Sequence, residues 1–206
     1  MDQDRKTATG DRLAAAAVQV FEARGFHAAR VSDIAAAAGV AKGTFYLYFA
    51  SKEAIFHHLI DDFFHRLIGA TLARYPADAV ADRQALSRQL GEMWVSILTS
   101  CRQEPALTAL VLRESLALGG DARAQVERHF TAIADAVTGY FDDLSARGLV
   151  RGGIGAASAW AILGLIERAV HYAVTVAPER EIATLAQEFL ALELTGLVGI
   201  GPDPAG

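Results

Sequence analysis

The strongest constraint on the fold is the spacing of apolar residues, which recur every three or four positions along nearly the whole chain. This is the period of an amphipathic α-helix, and no useful stretch shows the two-residue alternation of a β-strand. Alanine, the best helix former, supplies 41 of the 206 residues. Glycines and prolines interrupt the pattern where helices should end. The sequence predicts an all-α fold of about nine helices, over residues 9–24, 31–38, 41–49, 53–74, 79–101, 105–118, 121–147, 155–177 and 179–198.

Several classes of protein are disfavoured by simple counts. One cysteine, Cys101, excludes an intrachain disulfide and a multi-cysteine zinc site. The most apolar late stretch, residues 160–176, is interrupted by Glu167, Arg168 and His171, so it is not predicted to span a membrane. The first residues are polar, unlike those of a signal peptide. A cytoplasmic protein without a membrane partner is expected.

Charge is distributed unevenly along the chain. Residues 1–52 carry seven Lys/Arg and five Asp/Glu, a net charge of +2, whereas residues 53–206 carry twelve and nineteen, a net charge of −7. All three lysines lie in the first segment. A mildly basic head on an acidic body suggests an anionic partner for the head, although a chance asymmetry of a solvated surface explains the same counts.

Two short predicted helices joined at Gly39 have the arrangement of a helix-turn-helix. Glycine suits a tight turn because it adopts a positive φ without strain. Phe45 and Phe49, four residues apart, should anchor the second helix on the core. The remaining side chains of that helix should then point outward, and they are Lys42, Gly43, Thr44, Tyr46, Leu47 and Tyr48. Tyrosine hydroxyls can donate to phosphate and a leucine can touch a thymine methyl, so this surface suits a DNA groove.

The head resembles the TetR family of bacterial transcriptional regulators over about 45 residues. The matching stretches are Asp11–Phe26, Val31–Val40, Lys42–Phe49 and Ser51–Glu53. The resemblance implies a three-helix DNA-binding domain over residues 1–52 and a helical ligand-binding and dimerisation domain over residues 53–200. The last residues, 201–206, are expected to form a disordered tail.

The resemblance also implies roles for individual residues of the head. Positions that approach bases match Lys42, Gly43 and Leu47, and positions that contact phosphates match Thr44, Tyr46, Tyr48 and Lys52. Arg30 stands where Thr or Ser usually caps the second helix, so the cap is expected either to be weaker or to move to Ser32, and Arg30 can reach phosphate instead. Leucine at position 47 favours apolar contact over hydrogen-bonded base reading. The alternative for Tyr46 and Tyr48 is that they fill the junction with the long fourth helix.

In the body, the middle helices are expected to line a pocket for a small, largely apolar effector. The candidates are Met93, Trp94, Leu98, Cys101, Leu110, Glu114, Phe130, Ile133, Trp160, Glu167, His171 and Tyr172. Apolar stripes of this kind also form plain core. The polar members Glu114, Glu167 and His171 are alternatively explained by salt bridges, since Glu167 and His171 are four residues apart on one helix.

The last two helices are expected to form a four-helix bundle with a second copy of the chain. The candidate interface residues are Ala159, Leu163, Ile166, Val170, Leu185, Phe189 and Leu192. The same stripes alternatively close the core of one protomer. A homodimer suits a palindromic operator in double-stranded DNA, whose half-sites lie about 34–36 Å apart or a multiple of that distance.

Other sites receive little support from the sequence. His57, Asp61 and His65 share a face of the fourth helix, but without a further ligand they are interpreted as solvated, and no metal or cofactor is expected. The leading prediction is a ligand-responsive DNA-binding regulator, most simply a repressor that releases its operator when effector binds. The alternatives are an all-helical enzyme or small-molecule carrier with a structural head, and a helical adaptor protein.

Overall fold

A computed structural model describes residues 2–114, 120–150 and 154–197, and this part of the chain contains helices and turns but no β-strand. The all-α prediction is therefore confirmed. The α-helices within the described residues are α1 Asp2–Ala28, α2 Val31–Ala37, α3 Lys42–Phe45, α4 Lys52–Ala70, α5 Arg83–Gln103, α6 Pro105–Ala109, α7 Gly120–Ala146, α8 Ala156–His171 and α9 Ile182–Leu192. Ala77–Ala79 forms a 3₁₀ turn, and the π-helical turns Leu110–Glu114, Tyr172–Val176 and Glu193–Leu197 extend α6, α8 and α9. The predicted tail, 201–206, lies outside the described residues.

Helix boundaries follow local rules in the head. Gly25 has a φ of 72° and interrupts α1 where a C-terminal cap is predicted. Gly39 has a φ of 67°, as the predicted turn requires. The Ser51 hydroxyl accepts a hydrogen bond from the Ala54 amide at 3.1 Å, which confirms the predicted cap of α4. The main difference is α3, which has four helical residues where nine are predicted.

The chain divides into two compact units with interleaved boundaries. The first unit comprises residues 1–64 and 106–126, and the second comprises residues 65–105 and 127–206. This structural division differs from the single boundary after residue 52 that the sequence suggests. The functional division at that residue stays a prediction.

The core of the first unit is built from the residues that the helical periodicity points inward. Leu13, Phe21 and Ile34 are fully buried, and Phe45 is fully buried beneath α3. The rings of Phe21, Phe26 and Phe56 form a cluster with centroid separations of 4.9–5.7 Å. Aromatic pairs at these separations stabilise beyond their buried area. This cluster fixes α1 against α4.

The core of the second unit lies among α5, α7 and α8. Its buried members include Leu86, Leu90, Val137, Phe141, Leu144, Ala159, Ile162 and Leu163. The Trp94 ring of α5 lies 5.3 Å from the Phe189 ring of α9, measured between centroids. These contacts join four helices around one apolar interior, as expected for helices with broad apolar stripes.

Arginine side chains close two exposed backbone ends in the second unit. Arg102 donates to the Ala173 and Ala177 carbonyls at 3.0 Å each, and also to the carbonyl of Arg180. Arg147 donates to the Ala77 carbonyl at 2.7 Å. The last carbonyls of a helix lack partners within the helix, so the Arg102 guanidinium supplies donors where α8 and its π-helical extension end.

One segment of the described chain, Ala156–Val176, is long and apolar enough to span a membrane by length and composition alone. Only a third of its most apolar window is buried within the structure. Core helices of soluble proteins can have the same length and composition. The segment therefore presents an apolar face that the chain's own core does not cover.

Replacing Arg102 with alanine should lower the free energy of unfolding by about 2–3 kcal/mol, because a charged donor that joins three carbonyls is lost. Urea unfolding followed by circular dichroism measures this change. Arg83→Ala, at the exposed start of the same helix, is the matched control and should change stability by less than about 0.5 kcal/mol. Equal effects of the two substitutions would show that the carbonyl contacts of Arg102 contribute nothing.

Candidate nucleic-acid interface and apolar cavity

The start of α2 lies beside the short helix α3 in the helix-turn-helix, and its first residues are accessible. Asp33 organises the start of α2, since its Oδ2 accepts from the Arg30 backbone amide at 3.3 Å and from Arg24 Nη1 at 2.8 Å. The expected cap at Ser32 is therefore wrong. The acceptor at this end of the helix is the carboxylate of Asp33, three residues after the N-cap residue Arg30. Arg30 and Ser32 are both exposed.

Four of the six residues predicted to point outward from α3 and the turn after it are exposed. Lys42 and Gly43 are exposed, Tyr46 is 50% exposed and Leu47 is 76% exposed. A large apolar side chain that is three-quarters exposed is unfavourable in water, so Leu47 gains most if a partner covers it. Phe45, between these residues, is fully buried and determines which side of the helix faces outward.

Gly43 has no internal reason to be glycine. A Cβ added at this position would meet no atom within 4 Å, and the residue does not have a positive φ. Glycine in a helix costs about 1 kcal/mol relative to alanine, and nothing within the described part of the chain compensates here. Close approach of a partner to this backbone would explain the residue.

Thr44 and Tyr48 are less accessible than the other candidates of α3, since both are half-buried. A Cβ built on Gly10 of α1 would lie 3.6 Å from Cδ1 of Tyr48, so the tyrosine ring lies against α1. The alternative expectation is that Tyr48 fills a junction between helices rather than contacting DNA. Its ring does pack against a helix, but against α1 and not against α4. Tyr46 has no such neighbour and remains half exposed.

Lys52 has a different environment from the one the resemblance implies. Its Nζ donates to the carbonyls of Phe26, His27 and Ala29 at 2.7, 3.3 and 3.1 Å, and lies 4.4 Å from the centroid of the Phe26 ring. An ammonium has three protons, and all three are directed at these carbonyls. Lys52 thus closes the C-terminal end of α1 and ties it to the start of α4, and the phosphate contact that the resemblance implies stays a prediction.

The cluster on α4 that the sequence suggested to be solvated is engaged within the first unit. The buried side chain of Gln125 in α7 donates to the His57 carbonyl at 3.0 Å and to Asp61 Oδ1 at 2.7 Å, and its oxygen contacts His57 Nδ1. His65 is exposed. The solvated interpretation is wrong for His57 and Asp61, because a glutamine 68 residues away supplies matching donors and an acceptor. No three metal-ligating side chains converge within the described ranges.

A narrow apolar cavity lies inside the second unit. Its volume is about 50 Å³, and it is lined by Leu72, Leu90, Met93, Trp94, Ile97, Val137, Tyr140, Phe141, Ile162, Ile166 and Glu193. Glu193 is 5% exposed, and its Oε2 accepts a hydrogen bond from Trp94 Nε1 at 2.7 Å. Burial raises the pKa of the Glu193 carboxyl, and the Trp94 hydrogen bond opposes that shift.

Two of the twelve predicted effector residues, Met93 and Trp94, line this cavity. Leu98 and Cys101 are buried in α5 outside the lining, Leu110 is buried in the first unit, and Phe130, Ile133, His171 and Tyr172 are half-buried outside it. Trp160 is 42% exposed. Glu167 contacts Arg168 at 2.9 Å instead of the expected His171. The Glu114 side chain lies outside the described residues.

Glu193, the acidic residue of this cavity, is absent from the predicted set. It lies in a predicted apolar helix, one position after exposed Leu192. A single acid near the end of such a helix gives no local sign of burial. The signal available in the sequence was the helical spacing, which places Glu193 four residues after Phe189 and so on the same face as a core aromatic residue.

The predicted dimer residues fall mostly inside the protomer. Ala159, Leu163, Val170 and Leu185 are buried, Ile166 lines the cavity, and Phe189 packs on Trp94. The alternative in which these stripes close the protomer core fits all six. Leu192, at 53% exposure, is the one predicted interface residue on the surface of the described helices.

Comparison with known proteins places the head among transcriptional regulators. Residues 13–59 match the family model of bacterial regulatory proteins, tetR family. The HTH-type transcriptional regulator YdgC of Bacillus subtilis is 55% identical over 56 residues, which are 27% of this chain and 29% of that protein. The fatty acid metabolism regulator protein of the same organism is 35% identical over 103 residues, 48% of this chain and 50% of that protein. The matches thus span half or less of these curated relatives.

Solved structures resemble the whole chain in fold. The fatty acid degradation regulator FadR from Bacillus halodurans superposes with a TM-score of 0.76 at 22% identity, covering 91% of this chain and 95% of that one. FadR from Bacillus subtilis, in a complex with stearoyl-CoA, gives 0.72 at 23% identity, covering 90% and 97%. At these identities the likeness establishes the fold alone.

Lys52→Met should lower the free energy of unfolding by about 1–3 kcal/mol, because it keeps the aliphatic stem but removes the donor to three carbonyls. Chemical denaturation of the full chain measures the loss. Lys42→Met is the matched control, since Lys42 is exposed, and should change stability by less than about 0.5 kcal/mol. If Lys52→Met and Lys42→Met have the same free energy of unfolding, the contacts of the Lys52 ammonium do not stabilise the fold, and the predicted phosphate contact becomes the better explanation for this lysine.

Proposed function

Because the chain belongs through its residues 13–59 to the tetR family of bacterial regulatory proteins, we propose that it is a ligand-responsive, DNA-binding transcriptional regulator. The single observation that supports this most strongly is the outer face of α3. Lys42 and Gly43 of α3, and Tyr46 and Leu47 of the turn that follows it, are accessible, whereas Phe45, the last residue of α3, is fully buried. Such a surface combines a cation, a hydroxyl, an apolar group and an unobstructed backbone.

On duplex DNA, α3 enters the major groove, where Lys42, Gly43 and Leu47 approach base edges. Tyr46 and the half-buried Thr44 contact phosphates beside the groove. Exposed Arg30 and Ser32, at the start of α2, add contacts to the same backbone. Tyr48, which is half-buried, contributes a further phosphate contact. Phosphate contacts orient the head, and the base contacts give it sequence preference.

The second unit binds a small, largely apolar effector that causes release of the operator, so the protein acts as a repressor in the bacterial cytoplasm. The apolar cavity supports this part of the proposal. The relatives agree in kind: one is a fatty acid metabolism regulator, and one structural neighbour is a complex with stearoyl-CoA. The competing function, an all-helical enzyme or carrier with a structural head, is disfavoured because its head would need no accessible Tyr46 and Leu47.

The active form is a homodimer that meets a palindromic operator. The exposed face of α8 and α9 supports this, with its apolar and small residues Ala157, Trp160, Ala161, Gly164, Val176, Ala191 and Leu192. Those of α8 recur at the i, i+3, i+4 and i+7 spacing of one helix face. The proposed interface therefore shifts outward from the buried stripe that the sequence suggested and retains Leu192.

Binding to duplex DNA at several salt concentrations tests the function. With a random-sequence duplex, the logarithm of the association constant should fall linearly with the logarithm of the salt concentration, because bound phosphates release counterions. Arg30→Ala should lower that slope by about one, because one phosphate contact is lost. Arg83→Ala, an exposed arginine of the second unit, should leave the slope unchanged. Fluorescence anisotropy measures each constant.

Sequence selection from a duplex library completes the test. Lys42→Ala should relax the preference at one or two positions of each half-site, because a base contact rather than a phosphate contact is removed. The absence of salt-dependent duplex binding by the wild-type chain would exclude the proposed function. Selected sites without twofold symmetry would contradict the dimeric operator.

The double substitution Trp160→Glu and Leu192→Arg should convert the dimer to monomers, because it places charges on the proposed interface. Light scattering coupled to size exclusion measures the mass. Val95→Arg is the matched control: Val95 is an exposed apolar residue of α5 at 39% exposure, so the variant should remain dimeric. A dimer that survives the double substitution locates the interface elsewhere on the chain.

A further inference from the structure

We propose that the apolar cavity of the second unit receives the ammonium end of an apolar ligand, and that Glu193 is its counter-ion. This inference rests on the proposed function, because it names the chemistry of the effector. The ligand class is a primary alkylamine or a larger amphiphile that carries one.

None of the described residues that line the cavity carries a positive charge. Eight of its eleven lining residues are aliphatic residues, methionine or phenylalanine, and the remaining three are Trp94, Tyr140 and Glu193. Burial raises the pKa of the Tyr140 hydroxyl, so at neutral pH this group is an uncharged hydrogen-bonding partner. A carboxylate or phosphate would therefore enter this space beside an acid and without a cation. The cost of leaving a buried anion unpaired excludes such groups.

An ammonium group has the opposite balance. Glu193 is 5% exposed, and its burial disfavours the charged carboxylate. Within the described part of the chain, the one side chain hydrogen-bonded to this carboxyl is the neutral indole of Trp94. A bound ammonium supplies a positive charge and stabilises the carboxylate form. If Glu193 is protonated before binding, its proton leaves to solvent as the ion pair forms. Charge-assisted hydrogen bonds of this kind are about twice as strong as neutral ones.

The structural alternative is that Glu193 only ties α9 to α5 through Trp94. The indole Nε1 donates to Glu193 Oε2 at 2.7 Å, so a tie is present. A glutamine would accept the same hydrogen bond through its amide oxygen without the cost of burying an ionisable group. The tie alone therefore does not require an acid at position 193.

Backbone geometry marks the same residue. Glu193 is the first residue of the π-helical turn Glu193–Leu197, which follows α9 directly. Turns of this type are rare and occur frequently at functional sites.

The dimensions of the cavity limit what enters it. About 50 Å³ is well below the roughly 300–1,000 Å³ of pockets that enclose a drug-sized ligand. The space therefore accepts the charged end and the first carbons of a chain. Tyr140 accepts a hydrogen bond from Gln89 Nε2 at 3.0 Å, which leaves the hydroxyl oriented by a neighbour rather than mobile.

Three six-carbon probes that differ only in their end group test the proposal on the full wild-type chain. Titration calorimetry and thermal unfolding without DNA should show binding of hexylammonium about tenfold tighter than hexan-1-ol, since a hydrogen bond to a charged group is gained. Hexanoate should bind more weakly than hexan-1-ol. Hexanoate binding as tightly as hexylammonium, equal binding of all three, or no binding of hexylammonium would each overturn the proposal.

Glu193→Gln supplies the second arm, because it keeps the acceptor for Trp94 and removes the charge. It should reduce hexylammonium affinity to that of hexan-1-ol, while hexan-1-ol affinity stays the same. Glu179→Gln, at an exposed acid of the second unit, should leave both affinities unchanged. Retention of tight hexylammonium binding by Glu193→Gln overturns the proposal, and the wild-type comparison of probes stands even if that variant fails to fold.

Failure of this inference is distinguishable from failure of the proposed function. The probe titrations contain no DNA, and the salt-dependent duplex titrations contain no probe. Tight duplex binding together with tight binding of a long-chain acyl-CoA, but not of hexylammonium, would keep the regulator and overturn the amine. Binding of hexylammonium without binding of duplex DNA would leave the amine site in place and remove the regulator.

Discussion

The burial of Phe45 is the contact on which the DNA-facing surface depends. A helix of four residues has no stability of its own, because nucleating the first turn costs more than one turn of hydrogen bonds returns. The fully buried Phe45 ring holds α3 in place, and its direction determines that Tyr46 and Leu47 project away from the core. The orientation of the surface proposed to contact DNA is therefore determined by Phe45, a buried side chain that does not itself contact the DNA.

Several cationic side chains in this chain contact groups of the chain itself, either backbone carbonyls or a carboxylate. Lys52 and Arg102 are each directed at backbone carbonyls where a helix ends, which satisfies acceptors that the helix leaves open. Arg24 pairs with Asp33 at 2.8 Å. Of the seven cations in residues 1–52, these contacts remove two from the supply available to a partner. Of the other cations, Arg12, Arg30 and Lys42 are exposed, so the total charge of the head overstates the number of cations available to a partner.

Sequence reasoning misjudged two local features, the cap expected at Ser32 and the length of α3. It nevertheless succeeded mainly where an outcome depends on residues four or fewer positions apart. The positive φ at Gly39, the Ser51 cap and the inward direction of Phe45 are of this kind. It failed where a partner is distant: Lys52 meets a carbonyl 26 residues away, Gln125 meets Asp61 across 64 residues, and Glu193 meets Trp94 across 99. Helical periodicity states which face of a helix is apolar, but it does not say which polar residue of another helix completes a pair.

The apolar face of Ala156–Val176 illustrates how the same composition serves different environments. In a lipid bilayer, Arg168 and Glu167 would lie within the span, and their contact at 2.9 Å would have to survive without water. Against a second copy of the chain, the same pair can remain at the rim, since Arg168 is 65% exposed. A protein partner also accommodates the exposed small residues Ala157, Ala161 and Gly164, because they allow close approach of helices. Coverage by a second protomer thus satisfies both the apolar and the charged members of this face, whereas a membrane satisfies only the first.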